Sequence, residues 1–200
     1  MYYQISYRPG QPGCPDYFDG DLNEAWEWDE YDPGVHELEI KHQYVYRANH
    51  EFVDFDYCDE YLVSTHFARL CDQFGMRERL VPVTIVESDG ERTKKDYVFL
   101  LSSEHISILD VARSEYVVAR QLETGEIVRD RYCPDVVHYD SIVKFVVDPD
   151  RVAGRHIFRC IDLARRYVCS QPFKDACEQS GMLGLAFTPI DDNFKVAAFW

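Results

Sequence analysis

The chain has 200 residues, of which 46% are hydrophobic and 14% aromatic, and its formal net charge at pH 7 is -15. This length and apolar content suit one domain over 1–200 or two lobes, an acidic part at 1–60 and a body at 61–200. No segment approaches the roughly 20 apolar residues of a membrane span, and the first residues lack the features of a signal peptide. We therefore expect a cytoplasmic protein.

The negative charge is concentrated in one quarter of the chain. Residues 16–60 contain fifteen Asp and Glu residues against only Lys41 and Arg47, a local charge of -13. Binding to nucleic-acid phosphates needs Lys and Arg, so this charge disfavours a nucleic-acid partner and favours a basic protein. The seven cysteines form an odd set without a CxxC pair, which indicates neither a disulfide framework nor a zinc site.

Near the N-terminus, strand-like runs at 1–7 and 38–46 flank the segment QPGCPDYFDGDLNEAWEWDEYDPG, which Pro and Gly bracket at both ends. This pattern predicts a long surface excursion with a short helix near 22–28. Residues 16–32, here called the acidic segment, interleave aromatic side chains with eight carboxylates. Aromatic anchors among steering charges are typical of a partner interface, and a flap folded back on the body is the alternative. The candidate partner-binding residues are Tyr17, Phe18, Asp21, Glu24, Trp26, Glu27, Trp28, Asp29, Glu30 and Tyr31.

Further along, the chain repeats a sixteen-residue pattern. YLVSTHFARLCDQFGM at 61–76 and YVCSQPFKDACEQSGM at 167–182 are identical at seven positions. In both copies a serine stands where a helix N-cap belongs, apolar residues follow at helical spacing, and a glycine marks the end. The caps and stops are Ser64 with Gly75 and Ser170 with Gly181. The repetition is therefore interpreted as structural.

The rest of the chain is rich in predicted strands. A short run that contains a proline follows each helix, at 79–87 and 184–190, so each copy is predicted to be a strand, a capped helix and a strand. Further strands are predicted at 96–102, 105–110, 115–122, 141–148 and 156–160. Few helices and no regular alternation of strand and helix predict an α+β fold, with a mostly antiparallel or mixed sheet and a few short amphipathic helices.

Residues able to do chemistry form no recognisable catalytic motif. The phosphate-binding loop, the nucleophile elbow, the zinc-protease motif and the dinucleotide fingerprint are all missing from the sequence. The acidic segment has the oxygen spacing of a calcium loop, but Glu24 stands where the sharp turn requires glycine. We predict no catalytic residue, no cofactor and no metal. A hydrolase with a carboxylate or cysteine site, and a homo-oligomeric adaptor or structural module, are the alternatives.

Several runs carry a resemblance to a known family. They are VPVTI, DYVFLL, ISILDVARSEY, IVKFVVD, HIFRC and the closing VCSQPFKDACEQSGMLGLAFTPI at 168–190. Over roughly residues 60–190 they resemble the bacterial polymorphic-toxin immunity proteins of immunity family eleven, formerly a domain of unknown function. The matching residues of the closing run are Val168, Ser170, Phe173, Lys174, Ala176, Glu178, Gly181, Gly184, Leu185, Phe187 and Pro189, with Cys177 in place of an expected Leu.

The resemblance implies function by binding. It implies an immunity protein that neutralises a cognate toxin by stoichiometric inhibition and has no catalytic residue of its own. The resemblance is weakest in the acidic segment, as expected for the part that would face one particular toxin. The implied partner is a toxin protein with a basic surface, a nuclease being one candidate, rather than nucleic acid or a membrane, and a homodimer is left open.

Overall fold

The computed structural model describes residues 1–58 and 61–196. Its helices are α1 (Thr65–Gln73), α2 (Pro149–Val152) and α3 (Gln171–Gln179). Its strands are β1 (Tyr2–Tyr7), β2 (Gly20–Leu22), β3 (Tyr44–Ala48), β4 (Tyr57–Cys58), β5 (Leu62–Ser64), β6 (Glu78–Val86), β7 (Tyr97–Ser102), β8 (His105–Ile106), β9 (Glu115–Val118), β10 (Tyr139–Lys144), β11 (Ile157–Cys160), β12 (Arg166–Ser170) and β13 (Leu185–Pro189). The predicted α+β class is confirmed.

The strands form three sheets. One sheet has the order β2-β3-β6-β7-β5-β4, a second has the order β13-β1-β12-β11-β8, and β9 pairs with β10 in a two-stranded sheet. Most pairs are antiparallel, but β3 runs parallel to β6 and β8 runs parallel to β11. The two larger sheets are therefore mixed, as predicted, and the β9–β10 pair is antiparallel.

Both copies of the repeated pattern fold as the sequence predicts. The Ser64 hydroxyl accepts a hydrogen bond from the amide of Phe67 at 3.1 Å, and Ser170 caps α3 in the same way. A glycine with positive φ follows the cap residue at the end of each helix, +75° at Gly75 and +65° at Gly181, a conformation that is strained for other residues. The chain therefore starts and stops the two helices with the same chemistry.

The structural repeat is longer than the sequence repeat, because a third strand lies between the two strands of each copy. In the first copy one row of paired residues is Val63, Val98 and Pro82, with Val98 on the central strand β7. In the second copy the equivalent row is Cys169, Tyr3 and Pro189, with Tyr3 on the central strand β1. The four-stranded orders β4-β5-β7-β6 and β11-β12-β1-β13 correspond strand for strand.

The two copies share one hydrophobic core. The Phe67 and Phe173 rings meet edge to face with centroids 5.8 Å apart, and Phe74 packs on Phe173 at 5.2 Å. Cys71 and Cys177 lie in the same core and are almost completely buried. Complete burial of such side chains contributes about 1.5–3 kcal/mol each, so the contact between the helices is a main source of stability.

A second core lies under the acidic segment. Odd-numbered residues of β7, such as Phe99, point away from α1 because side chains alternate along a strand. Phe18 and Trp28 of the acidic segment pack against this face, in the same cluster as Phe99. The segment is thus attached to the six-stranded sheet, which fixes where its remaining side chains lie.

Some element boundaries differ from the prediction. The prediction of a short helix near 22–28 is wrong. Residues Gly20–Leu22 form strand β2, which pairs with β3, and the chain continues through bends. The amide of Val45 donates to the Asn23 side chain at 2.7 Å, which holds the chain extended where a helix was expected. The strand expected at 38–46 begins later and extends further, at Tyr44–Ala48, and the one expected at 105–110 is confined to His105–Ile106.

Candidate partner-binding site

Two aromatic residues fix the acidic segment to the body. Phe18 stacks on Tyr46 with ring centroids 4.9 Å apart, and Trp28 packs on Phe99 at 5.4 Å. Both side chains are only 9% exposed. Of the ten candidate residues, these two therefore contribute to the core, and a partner could not contact them extensively without rearrangement.

Glu27 is also occupied within the chain. Its carboxylate accepts hydrogen bonds from the amides of Lys41 and His42 at 3.0–3.2 Å and from the Tyr44 hydroxyl at 3.1 Å. Desolvation acts to raise the pKa of Glu27, but these hydrogen bonds, those from His42 and Lys41 foremost, outweigh it and lower the pKa. Glu27 therefore holds the segment to residues 41–44.

Asp29 connects the acidic segment to a distant loop. Its Oδ2 accepts a hydrogen bond from the Tyr132 hydroxyl at 2.7 Å and pairs with the Arg131 guanidinium at 3.2 Å. Its Oδ1 accepts from the amide of Tyr31 at 2.9 Å. The Tyr132 hydrogen bond is the main reason that the pKa of Asp29 is lowered. Both ends of the segment are thus fixed in place.

The other candidate residues face solvent to different degrees. Tyr17 is 76% exposed, and Trp26 and Tyr31 are 42% and 45% exposed. Asp21 and Glu24 are exposed, and Glu30 is half-buried. A large aromatic side chain held at the surface in this way can bury considerable area on a partner without first losing much conformational entropy.

A groove runs along the exposed part of the segment. Its volume is about 330 Å³, and it is lined by Trp26, Trp28, Asp29, Glu30, Tyr31 and Tyr61. The Trp26 ring contacts Trp28 and Tyr61 with centroids 5.1 and 5.0 Å apart. We call these six residues the aromatic groove. Five of them are candidates from the sequence, and Tyr61 is an addition that belongs to the repeated pattern.

A buried ionic cluster, which no sequence pattern indicated, lies beside the groove. The Arg165 guanidinium lies 2.6 Å from Asp130 and donates from Nε to His105 at 3.2 Å, while His138 approaches Asp130 at 3.3 Å. Burial, with help from nearby arginines, lowers the pKa of His105 to about 4. The Arg165 guanidinium also lies 5.0 Å from the ring centroid of Tyr31. These residues are far apart in sequence, so no local pattern could bring them together.

The repeated serines and cysteines have structural contacts. The Ser64 hydroxyl donates to Asp56 at 2.6 Å, and the Ser170 hydroxyl lies 2.8 Å from His156 Nδ1. Both serines are buried, so a substrate could not reach them. Burial raises the pKa of the thiols in the shared core, which disfavours the reactive thiolate.

The described parts of the chain contain neither a metal-binding cluster nor a membrane-spanning helix. Within residues 1–58 and 61–196, no group of three or more His, Cys, Asp or Glu residues could hold a metal ion. Among the helices of the same ranges, none is long and apolar enough to cross a membrane. All seven cysteines have free thiols, and six of them are buried.

The fold and this surface define an acidic α+β protein that exposes aromatic side chains among carboxylates. Residues 72–192 match the model of the Immunity protein family (Imm11). Because this match covers more than half of the chain, the chain belongs to that family, and membership suggests a role in toxin immunity. The match begins inside α1, so the acidic segment precedes it. The comparison with curated proteins found no match.

Proposed function

We propose that this chain is a cytoplasmic immunity protein that binds a cognate bacterial toxin and neutralises it by stoichiometric protein–protein inhibition, without a reaction of its own. The observation that carries the proposal is the family match over residues 72–192. The acidic segment adds a surface of the right kind, since it combines exposed aromatic residues with uncompensated carboxylates. An enzyme would instead need a reactive group within reach of a substrate.

The proposed contact surface is the exposed part of the acidic segment. Tyr17, Trp26 and Tyr31 would be the anchors, and Asp21, Glu24 and Glu30 would attract a basic toxin surface. That surface would be fixed to the body of the protein by the buried rings of Phe18 and Trp28 and by the hydrogen bonds of Glu27 and Asp29. A nuclease toxin fits this proposal well, because its phosphate-binding cleft must be basic.

The first experiment tests whether there is a toxin at all. The protein encoded beside this chain's gene would be expressed in bacteria with and without the chain. Protection from toxicity, together with a one-to-one complex of the two purified proteins, is the expected result. A toxic neighbour that neither binds the chain nor is neutralised by it would contradict the proposal.

The second experiment tests the surface by its charge. Neutralising Asp21, Glu24 and Glu30 together should slow association with the toxin and weaken its salt dependence, because attraction between exposed charges is screened beyond roughly 10 Å at 0.1 M salt. The matched control neutralises three exposed carboxylates in another region, Glu115, Glu123 and Glu126. Equal association rates for the two triple variants would place the steering charges elsewhere.

The third experiment tests the aromatic anchors. Trp26→Ala should speed dissociation, at a cost of about 2 kcal/mol if the ring is buried by the toxin. Leu122→Ala is the matched control, because Leu122 is fully exposed in a distant turn. Melting temperatures of both variants check folding. If Trp26→Ala dissociates no faster than Leu122→Ala, the acidic segment is a solvated flap and the toxin binds another surface.

A further inference from the structure

We propose that the aromatic groove receives the guanidinium group of an arginine on the toxin. This inference rests on the proposed function, since it supposes a protein partner. It goes beyond that function because it assigns a pocket, a ligand chemistry and a carboxylate that recognises it. The occupant is an arginine-bearing loop of the partner.

The walls of the groove suit a flat cation. Trp26, Tyr31 and Tyr61 line it, and a cation within about 6 Å of such a ring is attracted by the negative face of its π system. Trp26 is braced by edge-to-face contacts with Trp28 and Tyr61 at 5.1 and 5.0 Å. A wall that is already ordered loses little entropy when a ligand enters.

The charges around the groove leave one carboxylate uncompensated. Arg165 is paired with Asp130 at 2.6 Å, and Arg131 is paired with Asp29 at 3.2 Å. Glu30, which lines the same groove, makes no hydrogen bond or ion pair with any residue that the structure describes. Glu30 thus presents a negative charge at a half-buried position, where a cation from outside would be bound more strongly than on an open surface.

A second unused group lies in the wall of the groove. Trp28 is 91% buried, and its indole Nε1–H finds no acceptor among residues 1–58 and 61–196. A buried donor without an acceptor costs about 1–3 kcal/mol, so a native protein rarely leaves one without a role. A loop that inserts an arginine would bring main-chain carbonyls to the same place, and one of them would accept this hydrogen bond once the Trp28 ring shifts to expose its N–H.

Guanidinium fits better than ammonium on two grounds. It is planar and weakly hydrated, so it stacks on aromatic rings at a smaller desolvation cost than a lysine ammonium. It also offers two parallel N–H donors to a single carboxylate, here Glu30. The Tyr31 ring already has one guanidinium, that of Arg165, 5.0 Å from its centroid, which shows that this environment accommodates the group.

The test uses the full-length protein labelled with ¹⁵N, whose three tryptophans each give one indole N–H signal in NMR spectra. Trp26→Phe and Trp28→Phe assign the two signals from the groove. The probe is N-acetyl-arginine methylamide, and the matched control is the citrulline analogue, which has nearly the same shape without the charge. We expect the two groove signals to shift saturably with the arginine probe, and the citrulline analogue to bind at least tenfold more weakly.

A variant pair then tests the carboxylate. Glu30→Gln should weaken binding of the arginine probe at least tenfold, whereas Glu123→Gln, which changes an exposed carboxylate outside the acidic segment and the groove, should leave it unchanged. The inference is overturned if neither probe shifts the groove signals, if citrulline binds as well as arginine, or if Glu30→Gln binds the arginine probe like the unchanged protein.

Failure of the groove and failure of the proposed function give different results. Toxin binding by the unchanged protein, with equal affinity for Glu30→Gln, would overturn the arginine groove and leave the immunity function standing. Absence of any toxin complex would overturn the immunity function, whatever the probe does. Support for both requires probe binding that depends on Glu30 and a toxin affinity that falls at least tenfold in Glu30→Gln.

Discussion

The two copies of the strand–helix–strand unit build their helices alike and surround them differently. Both helices have a serine cap, a buried phenylalanine, a buried cysteine and a glycine stop. The first copy continues through β6 into β3 and β2, the strand that carries part of the acidic segment. The second copy has β13 at the edge of its sheet and is extended on the other side by β8. Only the first copy therefore supports the candidate binding site.

The clearest difference lies beside the serine caps. Asp56 and His156 occupy equivalent positions, because each carbonyl accepts a hydrogen bond from the amide of the capping serine, at 3.0 and 2.9 Å. Asp56 contacts Ser64, Lys95 and the amide of Leu183, so it links the first copy to the loop after α3. His156 contacts Ser170 and the edge of Phe74.

The residues repeated in the sequence are therefore those that form the helix. The contacts that each copy makes with its surroundings differ. Helix caps and stops are local, so one set of residues works in both places. Contacts outside the unit depend on what lies next to it, and here the neighbours are not the same. Substituting equivalent positions in the two copies therefore separates the shared design from the differences.

The substitutions Asp56→Ala and His156→Ala, at equivalent positions, should differ most in the free energy of unfolding that they cost. Asp56 is 2% exposed and ion-paired with Lys95 at 2.9 Å, and breaking a buried pair costs about 3–5 kcal/mol. Lys95 is partly exposed and can recover some hydration, so we expect about 3 kcal/mol. His156→Ala should cost about 1 kcal/mol, the value of an ordinary hydrogen bond. Urea unfolding of both variants measures this, and equal losses would contradict the assigned role of Asp56.

Glu78→Leu should stabilise the protein, in contrast to most core substitutions. Glu78 of β6 is paired with Ser102 of β7. In the equivalent row of the second copy, Leu185 of β13 is paired with Tyr7 of β1. The second copy therefore already has a leucine at this position. One carboxylate oxygen of Glu78 is buried without a hydrogen bond from the described residues, and burial raises its pKa from 4.5 to about 7.

The sign of the pH dependence follows from the raised pKa of Glu78. The folded state holds the proton more tightly than the unfolded state, so the stability linked to it is present below pH 4.5 and is lost as the pH rises to about 7. The full shift corresponds to about 3 kcal/mol, and solvent screening of this partly exposed group reduces the expected gain for Glu78→Leu to about 1–2 kcal/mol. Unfolding at pH 8 and at pH 4 measures the gain, which should vanish at the lower pH.

Ser64→Ala and Ser170→Ala should both destabilise the protein, the first by more. Loss of an N-cap costs about 0.5–2 kcal/mol. The capping distance is 3.1 Å for Ser64 and 3.5 Å for Ser170, and only Ser64 also donates to a buried carboxylate. We therefore expect about 2 and about 1 kcal/mol, measured by chemical unfolding. Toxin affinity per folded molecule should not change, and loss of protection in a stable Ser170→Ala variant would indicate chemistry at this residue.

Gly75→Ala and Gly181→Ala should differ least in the stability that they cost, because the two helix ends are alike. Both glycines have positive φ, and an added Cβ at either would meet no atom within 4 Å. The cost is therefore that of the left-handed backbone alone, about 1–2 kcal/mol in each variant. Thermal unfolding of the pair tests this. A clear excess for one of them would show that its surroundings in the folded protein are tighter than the equivalence of the copies implies.

Much of the candidate site could be listed from the sequence, but its shape could not. The concentration of carboxylates and aromatic residues in 16–32 needs no fold to be seen. That Trp28 is buried while Trp26 is half exposed depends on Phe99, a residue on a strand more than 70 positions away that packs against both rings. In the sequence Tyr61 stands out only as part of the repeat, because its contact with Trp26 also joins segments that are remote along the chain.

By itself the sequence determined the local elements: two capped helices, the strands beside them, the strand-rich α+β class and the acidity of one segment. These follow from spacing, caps and composition, which act over a few residues. Only the tertiary structure decided that β1 takes the central place in the second copy that β7 takes in the first, and that Asp29 reaches Tyr132. Pairing between remote segments depends on which surfaces can be buried together, and no short stretch of sequence contains both partners.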